Sequence, residues 1–309
     1  MATNFGDFSD SMKGMKGKDK TDNLAGYLAI SPWLIGFILL TIGPMLASLI
    51  LSFTEYRLLS APEWIGLDNF RRLFSDARFI NSLKVTFQYV VISVPLRLAF
   101  ALFIAMLFNT GRKGSGLFTG IFYIPSIIGG SVAVAVMWRQ LFGHGGAITE
   151  ILSALNITDR NLIGNPDTAI YVLVLLVIWQ FGSPMVIFLA GLRQVPTSLY
   201  EAASVDGASK IKQFFHITIP MLTPVIFFNL VMGTIQGFMT FTQAYLVTGG
   251  GPLDATNFYA VYLYEQAFEY RHMGYASAMS WVLLLIIAVV TAIFFATSKY
   301  WVFYQGGEK

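Results

Sequence analysis

Small and polar residues interrupt two long apolar stretches of the chain, and their spacing indicates what chemistry they can do. Gly233, Gln236, Gly237 and Thr240 recur at intervals of three and four residues, so a helix would place them on one face. Amide and hydroxyl groups on such a face can hydrogen-bond a hydroxyl-rich molecule, and nearby aromatic rings can pack against its apolar surfaces. Helix packing through small residues is the alternative interpretation. The positions that we predict to line a path are Gln180, Phe181, Gly182, Ser183, Gly233, Gln236, Gly237, Thr240 and Phe241.

The same chain lacks the residue patterns of an enzyme site. It has no Cys, and its three His residues, at positions 144, 216 and 272, do not have the spacing of metal ligands. No Gly-x-x-x-x-Gly-Lys-Ser/Thr segment is present, which excludes that phosphate-binding loop. We therefore predict no catalytic residue and no metal or cofactor bound by this chain.

Composition indicates that lipid surrounds most of the chain. Of 309 residues, 55% are hydrophobic and only 12% are charged, about half the charged fraction of an average soluble protein. A helix needs about 20 apolar residues to cross a bilayer, and six runs reach that length. The sequence therefore predicts an all-α membrane protein with six transmembrane helices. The runs are Tyr27–Phe53, Val85–Phe108, Leu117–Leu141, Ile170–Gly191, Met221–Val247 and Ala276–Ala296.

The distribution of Lys and Arg predicts the side on which each terminus lies. Basic residues gather in the N-terminal tail, at Arg112 and Lys113, after the fourth run and at the C-terminus, and segments of this kind stay in the cytoplasm. The basic loop around residues 57–84 argues against this orientation. On balance we predict a cytoplasmic tail of residues 1–26, a transmembrane domain of residues 27–297 and a second cytoplasmic tail of residues 298–309.

Arg97 lies well inside the second apolar run, where a charge is costly. No Asp or Glu falls inside any of the six runs, so a partner for an intramembrane ion pair is missing. We expect the guanidinium to face backbone carbonyls or a watery cavity, or to extend toward one end of its helix. A packing role is favoured over substrate contact.

The connection from Pro196 to Pro220 has the features of two short helices joined by a bend. Ser198 and Glu201 have the spacing of a capping box, which predicts the start of the first helix. Gly207 can take the left-handed conformation that ends this helix. Pro220 is predicted to open the fifth span, because the first turn of a helix does not need the N–H that proline lacks.

This connection resembles the signature of a known family. Glu201-Ala-Ala, three residues, Gly207, nine residues and then Ile217-Thr-Ile-Pro220 is similar to the EAA loop of binding-protein-dependent ABC permeases. Ile219 is the one departure, since Leu is usual there, and the exchange conserves volume. The resemblance implies the type I ABC importer permease fold and a loop, residues 196–220, that docks into a cleft of a cytoplasmic ATPase. The coupling residues that it implies are Glu201, Ala202, Ala203, Asp206, Gly207, Ile217 and Pro220.

Three shorter segments are similar to the carbohydrate branch of that family, in particular to maltose-type first permeases. They are Gly66–Phe70 in the first outer loop, and Thr248–Pro252 and Gly274–Ala278 around the last one. This resemblance implies import of a mono- or oligosaccharide across a bacterial or archaeal cytoplasmic membrane by a non-catalytic subunit. The partners that it implies are a second permease subunit, two ATPase subunits that bind ATP and Mg, and an extracytoplasmic sugar-binding protein.

Two other functions compete with this interpretation. A secondary transporter or channel would use intramembrane Asp or Glu for ion coupling, and the six runs lack them. A membrane-embedded enzyme would need a cluster of acidic metal ligands, whereas Asp and Glu are scattered along this sequence. Both predict features that the sequence does not contain.

Overall fold

The computed structural model describes residues 26–109, 114–156 and 161–303, and helices carry most of this chain. Nearly all of the predicted tail 1–26, the last six residues of the predicted tail 298–309, and Arg112 and Lys113 lie outside the described residues. The elements are α1 Gly26–Ser52, β1 Thr54–Glu55, β2 Glu63–Trp64, α2 Asp68–Ser75, α3 Ala77–Phe108, α4 Ser115–Ile128, α5 Val132–Phe142, α6 Ala147–Ala154, α7 Pro166–Trp179, α8 Gly182–Gln194, α9 Thr197–Val205, α10 Lys210–Phe238, α11 Thr242–Val247, α12 Tyr259–Tyr264 and α13 Met273–Trp301.

Four of these helices, α1, α3, α10 and α13, are long and apolar enough to cross a membrane. Two bent pairs are candidates for one further span each. They are α4 with the segment Val132–Ala154, bent by 92°, and α7 with α8, bent by 46°. The described part of the chain therefore contains four to six candidate spans, at the places of the predicted apolar runs.

Two predicted runs are wrong as continuous helices. The third turns sharply after Gly129 and Gly130, and α5 restarts with the Ser131 hydroxyl as its cap, because two residues without side chains do not hold a helix together. The fifth, Met221–Val247, is divided because α10 ends at Phe238 and α11 is a separate short helix. The break in the fourth run lies between Trp179 and Gly182, among the small and polar residues that interrupt this run.

Helix α3 is the centre of the packing. It contacts α7, α8, α10 and α12, and it begins at Ala77, ahead of the predicted Val85. A buried hydroxyl lets the neighbouring helix α12 approach α3 closely. Thr86 donates to the Ser82 carbonyl at 2.7 Å and accepts from the Tyr259 backbone N–H at 2.8 Å. The large side chains buried in the interior include Leu173, Leu176, Met185, Phe188, Leu222 and Phe238.

The connections gather at two ends of the helix bundle. We call the end formed by residues 53–76 and 248–272 the long-loop end, and the end formed by residues 196–209 the short-loop end. At the long-loop end β1 and β2 pair antiparallel, and the buried Asn69 side chain donates to the carbonyls of Ser52 and Thr54 at 2.9 Å each. A bridge between Arg57 and His272 joins the first and last loops.

Asp76 links three helices at the long-loop end. Its Oδ1 caps α3 by accepting from the backbone N–H groups of Arg78 and Phe79 at 3.0 and 3.2 Å. Its Oδ2 accepts from the hydroxyls of Tyr262 and Tyr275, on α12 and α13, at 2.6 and 2.7 Å. Burial raises the pKa of Asp76, but the hydrogen bonds from Tyr262 and Tyr275 and from the backbone outweigh this effect and hold the pKa below its ordinary value.

Arg78 holds the last loop at the same end. Its guanidinium donates to both carboxylate oxygens of Asp254 at 2.9 and 3.0 Å, and it lies 3.1 Å from a carboxylate oxygen of Glu265. This hydrogen bonding from Arg78 keeps the pKa of Asp254 below its ordinary value. Asn81 adds a hydrogen bond to the backbone carbonyl of Asp254 at 3.0 Å. The long loop is therefore tied to the first turns of α3.

We predict that Asp76→Asn lowers the free energy of unfolding by about 1–3 kcal/mol, because two tyrosine hydroxyls lose a charged acceptor. Thermal melting of the purified protein in detergent measures this. Asp68→Asn is the matched control, since Asp68 forms an exposed pair with Arg71. Because the folded-state pKa of Asp76 is depressed, its stabilisation should be complete above the ordinary value of 3.8 and fade as the pH falls through the folded value. Equal melting of both variants at pH 7 would contradict the role of Asp76.

Candidate functional site

Three breaks in helices meet in the interior of the bundle. They lie between α4 and α5, between α7 and α8, and between α10 and α11. A cavity of about 590 Å³ lies where they meet, and residues beside each break line it: Gly130, Gln180 and Thr242. Irregular backbone inside a membrane is stable where protein or a watery cavity satisfies its polar groups. This cavity is therefore where a polar molecule can meet polar backbone in the interior.

The carbonyl oxygen of Gln180, at the end of α7, accepts three hydrogen bonds from side chains. Arg97 donates from Nε at 3.1 Å and from Nη2 at 2.8 Å, and the Ser126 hydroxyl donates at 2.9 Å. The Ser126 oxygen also accepts from the backbone N–H of Ser183, at the start of α8, at 3.0 Å. The expectation that Arg97 faces a backbone carbonyl or a cavity is confirmed, since it does both. Its positive charge also suits the C-terminal end of a helix dipole.

The break between α4 and α5 packs against the same residue. A Cβ atom at Gly129 would clash with the Gln180 side chain, so only glycine fits there. The carbonyl of Gly129 accepts from Nε2 of Gln243 on α11 at 3.3 Å. The three breaks are thus joined by hydrogen bonds and close contacts around one space.

Most of the predicted path residues line this cavity. Seven of them do: Gln180, Ser183, Gly233, Gln236, Gly237, Thr240 and Phe241. The structure places Phe181 and Gly182 elsewhere. Phe181 is buried between Phe100 and Phe122, and Gly182 is buried against α4. Gly233 and Gly237 also pack, since Cβ atoms there would lie 3.1 and 2.9 Å from Val94 and Val90.

Sequence reasoning missed several polar residues of the lining. Tyr89, Ser93 and Arg97 follow each other at intervals of four on α3, so one face of that helix enters the cavity. That spacing was visible in the sequence and could have identified Tyr89 and Ser93 once Arg97 had been noticed. Asn229 precedes Gly233 by four residues on α10, so its spacing was also visible in the sequence. Ser126 carries no comparable pattern, and only the fold brings it to the site.

The cavity carries a single type of charge. Arg97 is the only charged side chain among the described residues that line it, and no Asp or Glu is among them. The other polar groups are neutral amides and hydroxyls, which can donate and accept hydrogen bonds. No group of three or more His, Asp and Glu side chains in the described ranges is arranged to hold a metal ion.

The short-loop end differs from the prediction in how its helices begin. The capping box is wrong: α9 starts at Thr197, and neither Ser198 nor another side chain caps it. Pro220 lies in the first turn of the regular α-helix Ile219–Phe238, as predicted, but this regular segment is not the start of α10. Helix α10 begins at Lys210, and a π-turn at Phe214–Thr218 precedes the proline.

The predicted end of α9 at Gly207 is confirmed. Gly207 has a φ of 72°, in the left-handed region. Its N–H bonds to the Ser204 carbonyl at 3.1 Å, and the Ala208 N–H bonds to the Ala203 carbonyl at 2.8 Å. These two bonds are the Schellman arrangement that ends a helix at glycine.

Side chains that were not predicted lock α9 to α10. The buried Gln213 amide donates to the Ser204 hydroxyl at 2.9 Å and to the Ala208 carbonyl at 3.1 Å. The hydroxyls of Tyr200 and Thr218 lie 2.9 Å apart. These contacts hold the two helices together as one unit.

The exposed surface of this unit combines charge with apolar side chains. Glu201, Ala202, Asp206 and Gly207 are exposed, whereas Ala203, Ile217 and Pro220 are half-buried. Large apolar side chains are exposed beside them: Val205 at 89%, Ile211 at 72% and Phe215 at 60%. Apolar groups at this level of exposure beside polar residues mark a surface that contacts another molecule.

We predict that Gly182→Ala destabilises the fold by about 1–3 kcal/mol, because its Cβ atom would lie 2.7 Å from the Tyr123 Cα and 2.8 Å from the Phe122 carbonyl oxygen. Gly120→Ala on α4 is the control, since nothing lies within 4 Å of its added atom. Thermal melting in detergent compares them. A Gly182→Ala protein that melts with the control would show that α4 and α8 do not approach so closely.

Known proteins are similar to this chain over most of its length. Residues 97–301 match the family described as binding-protein-dependent transport system inner membrane component. The chain is 55% identical over 308 residues to the "Probable ABC transporter permease protein YesP" of Bacillus subtilis strain 168, covering 98% of this chain and 99% of that protein. It is 32% identical over 276 residues to the "Arabinooligosaccharides transport system permease protein AraP" of the same strain, covering 87% of each chain.

A solved structure shares the fold. It is the bacterial alginate ABC transporter in complex with an alginate pentasaccharide-bound periplasmic protein, with a TM-score of 0.79 and 21% identity, covering 91% of this chain and 96% of that one. The family inferred from Glu201 to Pro220 is confirmed: this chain belongs to the inner membrane components of binding-protein-dependent ABC transport systems.

Proposed function

We propose that this chain is the membrane-spanning subunit of an ATP-driven importer of saccharides, and that the cavity at the three helix breaks is part of the path. The main observation that supports this proposal is the cavity. Its volume of about 590 Å³ falls in the usual range of small-molecule sites. Amide and hydroxyl groups line it beside the ring of Phe241, a combination that suits sugar hydroxyls and the apolar faces of a sugar ring.

Names of relatives support a saccharide as the cargo. One relative is a permease for arabinooligosaccharides, and another, 28% identical, is the "Multiple sugar-binding transport system permease protein MsmF" of Streptococcus mutans. The solved structure contains a saccharide-loaded periplasmic protein. We propose that a binding protein likewise delivers the saccharide to the long-loop end, from outside a bacterial or archaeal cytoplasmic membrane.

The exposed unit of α9 and α10 is the proposed contact with the ATPase. Glu201 is free to form a charge-assisted hydrogen bond, and Val205 and Ile211 offer apolar contact. Ile217 and Pro220 would act by holding the unit to the rest of α10 rather than by touching the ATPase. Because α10 continues to Gln236 and Phe238, displacement of the unit would reach the cavity along one helix. A second permease subunit and two ATPase subunits, which bind ATP and Mg, complete the proposed assembly.

A secondary transporter or channel remains the competing function. It would couple transport to an ion through a carboxylate in the path, and the described lining of the cavity has none. The exposed apolar surface at the short-loop end would also have no purpose without a partner there. No observation favours this alternative.

We predict that Glu201→Gln lowers ATP-dependent saccharide uptake by about tenfold or more, because a charged contact to the ATPase is lost. Uptake is measured in proteoliposomes that contain the chain with its native permease, ATPase and binding-protein partners, supplied with a mixture of labelled neutral and acidic saccharides. Glu150→Gln is the control, since Glu150 is exposed on α6, far from α9 in the chain. Uptake by wild type that persists without ATP, or no uptake of any saccharide, would refute the importer. Equal uptake by the two variants would refute the role of Glu201.

A further inference from the structure

Two cavities of the described chain are lined by an arginine and by no carboxylate. The first is the cavity at the helix breaks, with Arg97. The second has a volume of about 730 Å³ and is lined by Arg139 and His144 together with the neutral side chains of Gln140, Asn161 and Thr248. Positive charge without an opposing carboxylate favours an anionic ligand, because neither cation has a neutralising partner among residues 26–109, 114–156 and 161–303.

The two cavities lie along the same pair of helices. Gly130, just before α5, lines the first cavity, and Arg139 on α5 lines the second. On the partner helix α11, Gln243 lines the first cavity, and Thr248, directly after the helix, lines the second. Since α5 and α11 pack together, the same two helices flank both cavities, and the helical residues from Val132 to Arg139 rise by about 11 Å.

Both arginines have N–H donors that no acceptor in the described chain engages. A guanidinium has five N–H donors, and Arg97 uses two of them on the Gln180 carbonyl. Its remaining donors have no hydrogen-bond partner within the described chain. Arg139 is exposed, and among residues 26–109, 114–156 and 161–303 no hydrogen bond or ion pair engages it. Each can therefore form the paired hydrogen bonds by which guanidinium recognises carboxylate.

Two described carboxylates of the long-loop end are engaged elsewhere. Asp254 is paired with Arg78, and Glu269 accepts a hydrogen bond from Tyr245 at 3.4 Å. Neither side chain is among the lining residues of the two cavities. The positive charge of the two cavities is thus left for a passing ligand.

We infer that the saccharide carried through this chain bears a carboxylate, as a uronic acid unit does, and that Arg139 and Arg97 bind the carboxylate in turn along the path. This rests on the proposed function, because it names the class of saccharide for the same path. The hydroxyls of the saccharide would bond to the neutral groups of each cavity. Arg97 also binds the carbonyl of Gln180, whereas Arg139 binds no other residue in the described chain.

The test compares two disaccharides on the purified complex of this chain with its native permease and ATPase partners, without the binding protein. One contains a uronate, and the other is its neutral counterpart with the carboxyl reduced to hydroxymethyl. Titration calorimetry should give about tenfold tighter binding of the uronate, and the advantage should shrink in concentrated salt. Arg139→Gln should remove about tenfold of the uronate affinity and leave the neutral affinity unchanged.

Two further variants separate charge recognition from folding. Arg97→Lys keeps a charge and a donor for Gln180 but loses the planar fork, so it should also weaken uronate binding selectively. Arg193→Gln, an exposed arginine in the last turn of α8 outside both cavities, should change neither affinity. Equal binding of the two disaccharides, tighter binding of the neutral one, or no binding of either would overturn the inference. Any of these results together with ATP-dependent uptake of a neutral saccharide would leave the proposed function standing, whereas absence of all uptake would remove both.

Discussion

The carbonyl group of Gln180 is the constraint on which the interior of this protein depends. A helix that breaks inside a membrane exposes backbone groups that lipid cannot satisfy, and this break is tolerated because Arg97 and Ser126 supply three hydrogen bonds to one oxygen. The same contacts bring α3, α4 and α8 together, and they place a charge deep in the chain without an opposing acid. From Arg97 to the end of α3 there are about 16 Å of helix, so this charge cannot easily reach water beyond the bundle. The cavity exists because the backbone groups at this break need hydrogen-bond partners and because the charge of Arg97 needs a polar surrounding.

The two ends of the bundle are held by different physical means. At the long-loop end, carboxylates inside the protein join α3 to α12, α13 and the last loop, through Asp76 and through Asp254 with Arg78. At the short-loop end, neutral side chains such as Gln213 bind α9 to α10, and charged and apolar groups are left exposed. A long-loop end tied by hydrogen bonds and a short-loop end with an exposed apolar surface are what a path driven from one side requires. Helix α10 belongs to both the exposed unit and the cavity, which gives force a continuous route between them.

Most of the architecture could be predicted from the sequence, because a helix that crosses a bilayer needs about 20 consecutive, mainly apolar residues. Apolar runs located the candidate spans, and Gly207 with its neighbours identified the family and the end of α9. The bend at Gly129 and Gly130 was not predicted, since a pair of glycines within an apolar run is compatible with a packed helix as well as with a break. Ser126 was missed for another reason: its role arises from contacts between helices distant in the chain, and no local spacing records it. The capping box predicted at Ser198 is wrong because α9 already begins at Thr197. Pro196, and not Ser198, therefore occupies the N-cap position.

The central claim is that the space around Gln180 is a water-filled passage for saccharide, and the chain's lack of Cys permits a direct measurement. Gln236→Cys places a thiol in the cavity lining, and Leu285→Cys places one on the exposed face of α13, where Leu285 is 60% exposed in the chain alone. The rate of reaction with a membrane-impermeant thiol reagent is measured in the assembled complex, with and without ATP and saccharide. The account predicts that Gln236→Cys reacts in at least one of these states and is protected by saccharide, while Leu285→Cys in lipid or at a subunit interface does not react. A Gln236→Cys thiol that is inert in every state would contradict it.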